Sequence, residues 1–466
     1  MNIMAIVLAA GQGKRMKSKL YKVLHPVCGK PMVGHVVETL QKINTSRTLV
    51  VVGYGAEAVQ TYLGNQVEYA TQEQQLGTGH AVLQAQAALG QEDGITIVIC
   101  GDTPLITEQT LLKMIELHQH SAAAATVLTA NLDQPQGYGR IIRDGSSGLV
   151  NKIVEQKDCT EEEALVTEIN TGTYCFSNKQ LFEALSLITN NNVQNEYYLT
   201  DVISILANQG ETIQASCMED VSESIGVNDR IALAEAERLL KERINRHHML
   251  NGVTIIDPNH TYIETDVQIG MDTVLLPGTI LKGHTQVGAN CILGPNTEIT
   301  DSTIKDEVVI KQSVLQEAYV DSYTSVGPFA YLRPGSKLGQ NVKIGDFVEI
   351  KNATLDDGAK VSHLSYVGDA VVGKNVNFGC GAITVNYDGY NKSLTEIGDD
   401  AFVGSNVNLI APVKIGQGAY VVAGSTITHN VDDNDLAVAR ERQTNKPGYA
   451  DKIRASAQLK KKNGIS

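Results

Sequence analysis

The hydrophobic positions of this chain follow two different rhythms. Through about residue 228, short β-branched apolar runs bounded by Gly, Asp or Asn alternate with stretches that have helical periodicity. The clearest runs are Ile3–Leu8, Thr48–Val52 and Ile95–Cys100, and the clearest helical stretches are Val33–Ile43 and Thr110–His118. Buried strands that alternate with helices are typical of a mostly parallel sheet covered on both faces. We therefore predict a Rossmann-like α/β domain over residues 1–228.

The segment 229–250 reads "DRIALAEAERLLKERINRHHML", with no Gly or Pro, and predicts a long linker helix that Asn228 or Asp229 could cap. From about residue 251 an aliphatic residue recurs every six positions. The anchors are Val320, Val326, Leu332, Leu338, Ile344 and Ile350, then Ile397, Val403, Leu409, Ile415, Val421 and Ile427, with small slips at Leu355 and Val372. This repeat predicts a left-handed parallel β-helix over residues 251–466, in which three hexapeptides make one coil and equivalent positions of successive coils stack. The stretch "VNYDGYNKSLTE" interrupts the repeat and is predicted to be a protruding loop, and the tail after Arg440 is basic.

Composition narrows the possible functions. The 466 residues carry a net charge of −14, which argues against nucleic acid as the main partner, although local Lys and Arg can still bind small anions. No apolar run approaches the roughly 18 to 20 residues of a membrane helix, so no membrane insertion is expected. The N-terminus lacks the features of a signal peptide, and the seven cysteines are scattered without a CxxC pair. We expect a cytoplasmic protein with reduced thiols.

The first candidate site follows strand Ile3–Leu8, where the chain reads "AAGQGKRM". Glycines let the backbone approach a ligand closely, and backbone N–H groups can face phosphate oxygens. The loop matches neither a dinucleotide-binding GxGxxG nor a P-loop GxxxxGK[ST], so a plain tight turn is the alternative. Lys22 follows closely, and Asp102 ends the apolar strand "ITIVICGD", where open α/β sheets bind ligands. Asp102 could hold Mg²⁺ beside a nucleotide or could be a turn residue.

The second candidate site lies in the repeat. Arg333 and Lys351 each follow an anchor and are separated by three hexapeptides, one full coil, so they should stack. Stacked cations repel unless an anion lies between them, so they are either a clamp for a phosphate monoester or two solvated charges. His363 and Tyr366 lie on the next coil. A histidine on a solenoid is by default a surface residue, but it is also the best general base near neutral pH.

Six motifs occur in order and resemble those of sugar-nucleotide pyrophosphorylases: "LAAGQGKRM", "QLGTGHA", "GDTPLI", "GYGRI", "INTGTY" and "GVNDR". With the repeat, nearly the whole chain resembles the bifunctional bacterial N-acetylglucosamine-1-phosphate uridyltransferase/glucosamine-1-phosphate acetyltransferases. That resemblance implies a nucleotidyltransferase domain that transfers uridylyl from UTP with Mg²⁺. The residues it implies are Leu8, Ala9, Ala10, Gly11, Arg15 and Lys22 on the nucleotide, Gln72, Gly77 and Thr78 on the uracil, Gly137, Glu155, Asn170 and Asn228 on the sugar phosphate, and Asp102 with Asn228 on the metal. Lys22 is also the expected catalytic cation. Tyr21 stands where the resemblance leads us to expect Pro.

For the β-helix, the resemblance implies acetylation of glucosamine 1-phosphate by acetyl-coenzyme A, with His363 as general base. Glu349 would orient the imidazole or balance its charge. The acetyl acceptor would contact Arg333, Lys351, Tyr366, Asn377 and Lys392, and acetyl-coenzyme A would contact Cys380, Asn386, Tyr387, Ser405, Ala423 and Arg440. Cys380 stands where Ala is expected, and its backbone N–H would face the oxyanion. Lys392 lies in the protruding loop, so the resemblance implies a homotrimer with a site shared between subunits.

Two alternatives remain open at this stage. The β-helix could serve only assembly or regulation of a sugar-1-phosphate nucleotidyltransferase. The chain could also be a sugar-nucleotide binder without activity, which the presence of both Asp102 and Lys22 disfavours.

Overall fold

The computed structural model describes residues 2–462, so residue 1 of the predicted α/β domain and residues 463–466 of the predicted β-helix domain lie outside the described residues. The described chain forms two compact units. One contains residues 2–247 and 262–265, and the other contains residues 248–261 and 266–462.

The first unit is built on one large sheet. The strands of residues 2–247 are β1 (Ile3–Ala9), β2 (Pro26–Val27), β3 (Lys30–Pro31), β4 (Arg47–Val52), β5 (Glu68–Thr71), β6 (Ile95–Cys100), β7 (Ala125–Asn131), β8 (Gly139–Arg143), β9 (Val150–Val154), β10 (Glu168–Ser177) and β11 (Ile213–Cys217), and all of them except β2 and β3 belong to the large sheet. The order is β11-β7-β10-β6-β1-β4-β5; β8 and β9 form a hairpin attached to β10, and β2 pairs only with β3. Strand β10 is antiparallel to β6 and β7, while the other pairs in that order are parallel. The predicted mostly parallel sheet is confirmed.

The helices of this unit cover both faces of the sheet. They are α1 (Met32–Lys42), α2 (Ala56–Leu63), α3 (Thr78–Leu83), α4 (Gln86–Leu89), α5 (Glu108–His120), α6 (Glu161–Ala164), α7 (Asn178–Leu185), α8 (Asp201–Asn208) and α9 (Arg230–Leu250), with 3-10 turns at Lys14–Met16, Lys22–Leu24, Gly64–Gln66 and Val221–Ser224. Successive side chains of β1 point to opposite faces. Met4 and Ile6 therefore belong to one apolar core, with α7 and α8, and Ala5 and Val7 belong to the other, with α1 and α5.

Helix α9 packs its apolar side on the first unit. Ala236 is fully buried in a cluster with Val27, Met32, Leu105 and Val227. The α9 N-terminus is capped by a neighbouring carboxylate, because Asp229 Oδ1 accepts from the N–H groups of Ile231 and Ala232 at 3.0 and 2.9 Å.

The second unit is a parallel β-helix of very short strands in two long sheets of 11 and 17 strands. The 11 strands are Thr254–Ile255, Val274–Leu275, Ile292–Leu293, Val309–Ile310, Ser325–Val326, Lys343–Asp346, Lys360–His363, Asn377–Phe378, Phe402–Val403, Tyr420–Val421 and Leu436–Ala437. The second unit contains 16 of the 17 strands: Gln268–Ile269, Ile280–Lys282, Gln286–Val287, Glu298–Thr300, Thr303–Ile304, Val314–Gln316, Tyr319–Val320, Tyr331–Leu332, Lys337–Leu338, Glu349–Leu355, Tyr366–Val372, Ile383–Val385, Thr395–Ile397, Asn408–Ile410, Val413–Ile415 and Thr426–Ile427. The remaining strand, Tyr262–Ile263, belongs to residues 262–265. A 3-10 turn lies at Pro258–His260, and α10 (Tyr449–Lys462) is exposed.

The predicted anchors form the core of this unit. All twelve are at most 4% exposed, from Val320 to Ile427. Their register varies along the helix: Leu332 pairs with Ile350, a full coil of three hexapeptides later, but Ile350 pairs with Val367, one position short of a full coil. Phe378 pairs with Val403, well beyond one coil, because the predicted loop lies between them. The shortened coils follow from the slip at Leu355 and decide which side chains stack.

Candidate active sites

The glycine loop after β1 borders a cavity of about 240 Å³ in the first unit. Nine of the residues predicted for the nucleotide or the metal line it: Leu8, Ala9, Ala10, Gly11, Lys22, Gln72, Gly77, Thr78 and Asp102. Leu8 and Cys100 are register partners on β1 and β6, so the loop after β1 and Asp102 after β6 leave the same edge of the sheet. This edge is where open α/β sheets bind ligands.

The ammonium group of Lys22 is the central charge of this cavity. Lys22 Nζ contacts Asp102 Oδ2 and donates to Asn228 Oδ1 at 3.1 Å. The segments that carry these two oxygens are joined, because Val227 N donates to Asp102 O at 2.9 Å. Since Asp229 caps α9, Asn228 uses its side chain towards Lys22 and not as the helix cap. A carboxylate and an amide oxygen that converge on one point suit Mg²⁺, which takes one or two protein oxygens and completes its shell with phosphate and water.

Gly13 makes the approach of Lys22 possible. A Cβ atom at Gly13 would lie 2.6 Å from Lys22 Cβ, and the backbone there is left-handed, with φ +61°. Tyr21, just before Lys22, has φ −64° and ψ 144°, the backbone conformation that proline favours. The backbone at Tyr21 is therefore one that the expected Pro could also adopt.

The three residues predicted for the uracil form one tight wall. Gln72 is buried, its Nε2 donates to Gly77 O at 3.1 Å, and Leu199 N donates to Thr78 Oγ1 at 3.0 Å. A Cβ atom at Gly77, where φ is +117°, would lie 2.5 Å from Tyr197 O, so this position requires glycine.

Two of the predicted sugar residues, Glu155 and Asn170, lie together but outside this cavity lining. Asn170 and Glu155 both lie beside Gly139. A Cβ atom placed on Gly139 would lie 3.5 Å from Asn170 Cβ and 3.6 Å from Glu155 Oε2. Burial raises the pKa of Glu155, against the hydrogen bond from Thr200. Gly137 N donates to Gln156 Oε1 at 3.1 Å. Arg15, predicted for the phosphates, is exposed and also lies outside the lining.

Three predicted cations lie together on the β-helix. Arg333 and Lys351 follow the register partners Leu332 and Ile350, and Arg333 Nη1 donates to Glu349 Oε1 at 2.8 Å. The neighbouring Lys392 ammonium is the main cause that lowers the pKa of Lys351, and desolvation and the Arg333 charge lower it further. Three cations this close suit a dianionic ligand such as a phosphate monoester.

Asp369 holds the protruding loop that carries Lys392. It is 9% exposed, accepts from Asn352 Nδ2 at 2.6 Å, and also accepts from Asn386 Nδ2. Burial alone would raise its pKa, but these hydrogen bonds and the Lys392 and Lys351 charges lower it. The loop is a hairpin, with Lys392 bridged to Tyr387. Asn386 also contacts the hydroxyl of Tyr366, at 3.4 Å, so the hairpin is fixed to the coil below it.

The imidazole of His363 is held by Asp346. His363 Nδ1 lies 2.7 Å from Asp346 Oδ1, and the two residues are register partners on adjacent strands. The expectation that Glu349 orients this ring is wrong: Glu349 is the register partner of Tyr366 and pairs with Arg333. The physical reason is the shortened coil, which places Asp346 beside His363.

Four of the six residues predicted for acetyl-coenzyme A follow one column of consecutive coils: Cys380, Ser405, Ala423 and Arg440. Asn406 N donates to Cys380 O at 2.8 Å, Gly424 N donates to Ser405 O at 2.8 Å, and a Cβ at Gly404 would lie 2.5 Å from Ala423 N. Arg440 follows, with its Cδ 3.6 Å from the Cβ position of Gly424. Tyr387 is exposed on the loop, and Asn377 stands on a neighbouring strand, in register with Lys360.

Sequence reasoning missed two residues that hold these sites. Asp346 was detectable, since the slip at Leu355 shortens the coil by one position and so aligns position 363 with position 346. Arg230 ends the motif "GVNDR", but the motif did not indicate its partners: its Nε donates to Met16 O at 3.2 Å and its Nη1 lies 3.3 Å from His25 Nδ1, which ties the start of α9 to the turns around Lys22. No sequence pattern indicates such a contact between positions so distant in the chain.

Within residues 2–462, no cluster of three or more His, Cys, Asp or Glu side chains is arranged to hold a metal ion. The same residues include no helix long and apolar enough to cross a membrane.

Comparison with known proteins identifies both halves. The nucleotidyl transferase family model matches residues 4–237, and the model for the bacterial transferase hexapeptide (six repeats) matches residues 266–301 and 394–429. Proteins named "Bifunctional protein GlmU" match almost end to end. That of Geobacillus sp. (strain WCH70) is 57% identical over 96% of this chain and 98% of its own length, and that of Exiguobacterium sibiricum is 58% identical over 96% and 100%. That of Listeria monocytogenes serotype 4b (strain CLIP80459) is 56% identical over 96% and 97%.

Proposed function

The chain belongs to the family of bifunctional GlmU proteins, and we propose that it makes UDP-N-acetylglucosamine in two steps at two separate sites. The β-helix unit acetylates glucosamine 1-phosphate with acetyl-coenzyme A. The α/β unit then transfers uridylyl from UTP to the resulting N-acetylglucosamine 1-phosphate and releases pyrophosphate. The observation that carries this proposal is a cluster of three cations near the coil of His363, which a β-helix used only for assembly does not need. Arg333 and Lys351 lie on successive coils, and Lys392 reaches them from the protruding loop.

In the acetyl transfer, the three cations bind the phosphate of the acceptor and so place its amine. His363 takes the proton that the amine loses as its lone pair attacks the thioester carbon. The C–N bond forms, the C–S bond breaks, and the coenzyme A thiolate leaves and is then protonated. The N–H of Cys380 is assigned to the oxyanion, and the column Ser405, Ala423 and Arg440 to acetyl-coenzyme A, with Asn386 and Tyr387.

In the uridylyl transfer, an oxygen of the sugar phosphate attacks the α-phosphorus of UTP, and the bond to pyrophosphate breaks. The protein contributes position and charge, not a nucleophile. The glycine loop holds the nucleotide, Lys22 and Arg15 neutralise phosphate, and Gln72, Gly77 and Thr78 bind the uracil. Gly137, Glu155 and Asn170 hold the sugar. Asp102 and Asn228 would hold Mg²⁺, which when bound neutralises charge on the phosphates.

The proposal includes a homotrimer assembled through the β-helix, with domain boundaries near residues 228 and 250. Within one chain Lys392 already lies beside Lys351, so this contact by itself requires no second copy. Sharing of the acetyltransferase site between subunits rests on the family, and sedimentation of the active enzyme tests it. A fully active monomer would refute it.

The deciding experiment compares thiol release from acetyl-coenzyme A by the parent and by His363→Ala, with glucosamine 1-phosphate as acceptor. We expect release by the parent and a loss of about 10²- to 10⁴-fold in the variant, the usual contribution of a general base. Uridylyl transfer by the same variant should be unchanged, and an unfolding temperature of the β-helix unit equal to that of the parent is the folding control. If the folded parent releases no thiol from acetyl-coenzyme A, the proposed acetyl transfer is refuted, and the β-helix serves only assembly or regulation.

A further inference from the structure

The acetyltransferase site contains two carboxylates close in sequence whose partners differ. Glu349 Oε1 accepts from Arg333, whereas Asp346 Oδ1 contacts His363 Nδ1 at 2.7 Å. The second contact is also fixed by the backbone, since Asp346 and His363 are register partners and Leu364 N donates to Asp346 O at 2.9 Å. The backbone register therefore places these two exposed side chains side by side on adjacent coils.

The chemistry of this pair determines the tautomer of the imidazole. A carboxylate only accepts hydrogen bonds, so His363 Nδ1 must be the donor. The hydrogen bond from His363 lowers the pKa of Asp346, so this side chain stays ionised and stays an acceptor through the neutral range. In the neutral ring, a proton on Nδ1 leaves the lone pair on Nε2, the nitrogen on the side of the ring away from Asp346.

We propose that Asp346 is the positioning residue of the acetyl transfer: it holds His363 in the Nδ1–H tautomer, so that Nε2 is the atom that receives the proton of the amine. This inference rests on the proposed role of His363 as base. It divides the two carboxylates by role, since Asp346 acts on the base and Glu349 acts on Arg333, which binds the acceptor.

The test is a comparison of three isosteric variants in the full-length enzyme. Asp346→Asn keeps the shape but offers an amide N–H to Nδ1, which favours the Nε2–H tautomer. We expect kcat for acetyl transfer to fall about 10- to 100-fold, within the contribution of a general base, with both KM values unchanged. Glu349→Gln should instead raise KM for glucosamine 1-phosphate. Asp357→Asn is the matched control: Asp357 also contacts a residue on the next coil, Lys374, at 3.2 Å, and we expect parent kinetics.

A spectroscopic measurement separates positioning from simple damage. With ¹⁵N-histidine labelling, and with His363→Gln used to assign the signals, the parent should show His363 protonated on Nδ1. Asp346→Asn should move that proton to Nε2 while uridylyl transfer remains at the parent rate. The proposal is overturned if kcat for acetyl transfer by Asp346→Asn stays within about twofold of the parent value. It is also overturned if kcat falls while His363 keeps the tautomer it has in the parent. If the parent itself releases no thiol, the proposed function fails first, and the inference fails with it.

Discussion

The two candidate sites both contain positive charge, but they are built from the sequence in opposite ways. The α/β site brings together Gly11, Lys22, Gln72, Asp102 and Asn228, which are far apart in the chain and meet at one edge of a sheet. The β-helix site brings together residues one coil apart, such as Arg333 with Glu349 and Asp346 with His363. A repeat converts sequence spacing directly into contact, whereas a sheet edge depends on the whole topology.

The difference extends to how charge is balanced. In the α/β site one ammonium group, that of Lys22, contacts one carboxylate and one amide oxygen and is partly buried. On the β-helix three cations share Glu349 and Asp369, and the pKa of Lys351 is lowered by its neighbours, Lys392 first. The first arrangement suits an ammonium that works together with a metal ion, and the second has positive charge left over for a phosphate.

The largest effect is expected from a change that separates the two sites completely. Asp102→Ala removes the carboxylate that contacts Lys22 and is assigned to Mg²⁺, so uridylyl transfer should fall by at least about 10³-fold, because charge neutralisation carries such transfers. Acetyl transfer should remain at the parent rate. The measurement is pyrophosphate release and thiol release on the same preparation. Loss of both activities in a folded variant would contradict two independent sites.

A smaller effect tests whether the sheet-edge site depends on distant tethers. Arg230→Ala removes the hydrogen bond to Met16 O and the contact with His25, which join α9 to the turns around Lys22. We expect kcat for uridylyl transfer to fall about tenfold, since a lost charge-assisted hydrogen bond is worth roughly 1.5 to 3 kcal/mol and positions the reacting groups.

The same helix supplies the control for that change. Arg238 lies two turns further along α9, where it pairs with Glu235 and Glu242 on the surface. Arg238→Ala should leave uridylyl transfer within about twofold of the parent, as expected for exposed ion pairs. Equal losses in both variants would show that α9 acts through its general stability and not through Arg230.

The same contrast explains what the sequence could predict. The alternation of strands and helices predicted the sheet, and the six-residue anchors predicted the core of the β-helix, because periodicity reports burial directly. The partner of His363 was missed because a constant stack of three hexapeptides was assumed, although the slip at Leu355 shortens that coil by one position. Arg230 could not be predicted in the same way, since no periodicity links it to Met16 and His25.

The smallest effect uses pH to distinguish the two units by their unfolding. His118 on α5 is buried, and burial lowers its pKa from 6.5 to about 4. The unfolded chain therefore binds this proton first as the pH falls, so the stability that neutral His118 provides is complete above pH 6.5 and is lost progressively towards pH 4. At pH 5.5 the loss should be about 1 kcal/mol, or a few degrees in the Tm of the α/β unit.

Thermal unfolding at pH 7.5 and 5.5 measures this loss. In His118→Gln the side chain at position 118 cannot be protonated. The Tm of one unfolding transition should therefore fall less between pH 7.5 and 5.5 than it does in the parent. His429→Gln is the control, because His429 is exposed on the β-helix, and it should leave the pH response as in the parent. The transition that responds to His118→Gln is that of the α/β unit, so the remaining transition reports the β-helix. If the Tm of the α/β unit falls between pH 7.5 and 5.5 as steeply in His118→Gln as in the parent, the buried histidine does not provide the pH dependence.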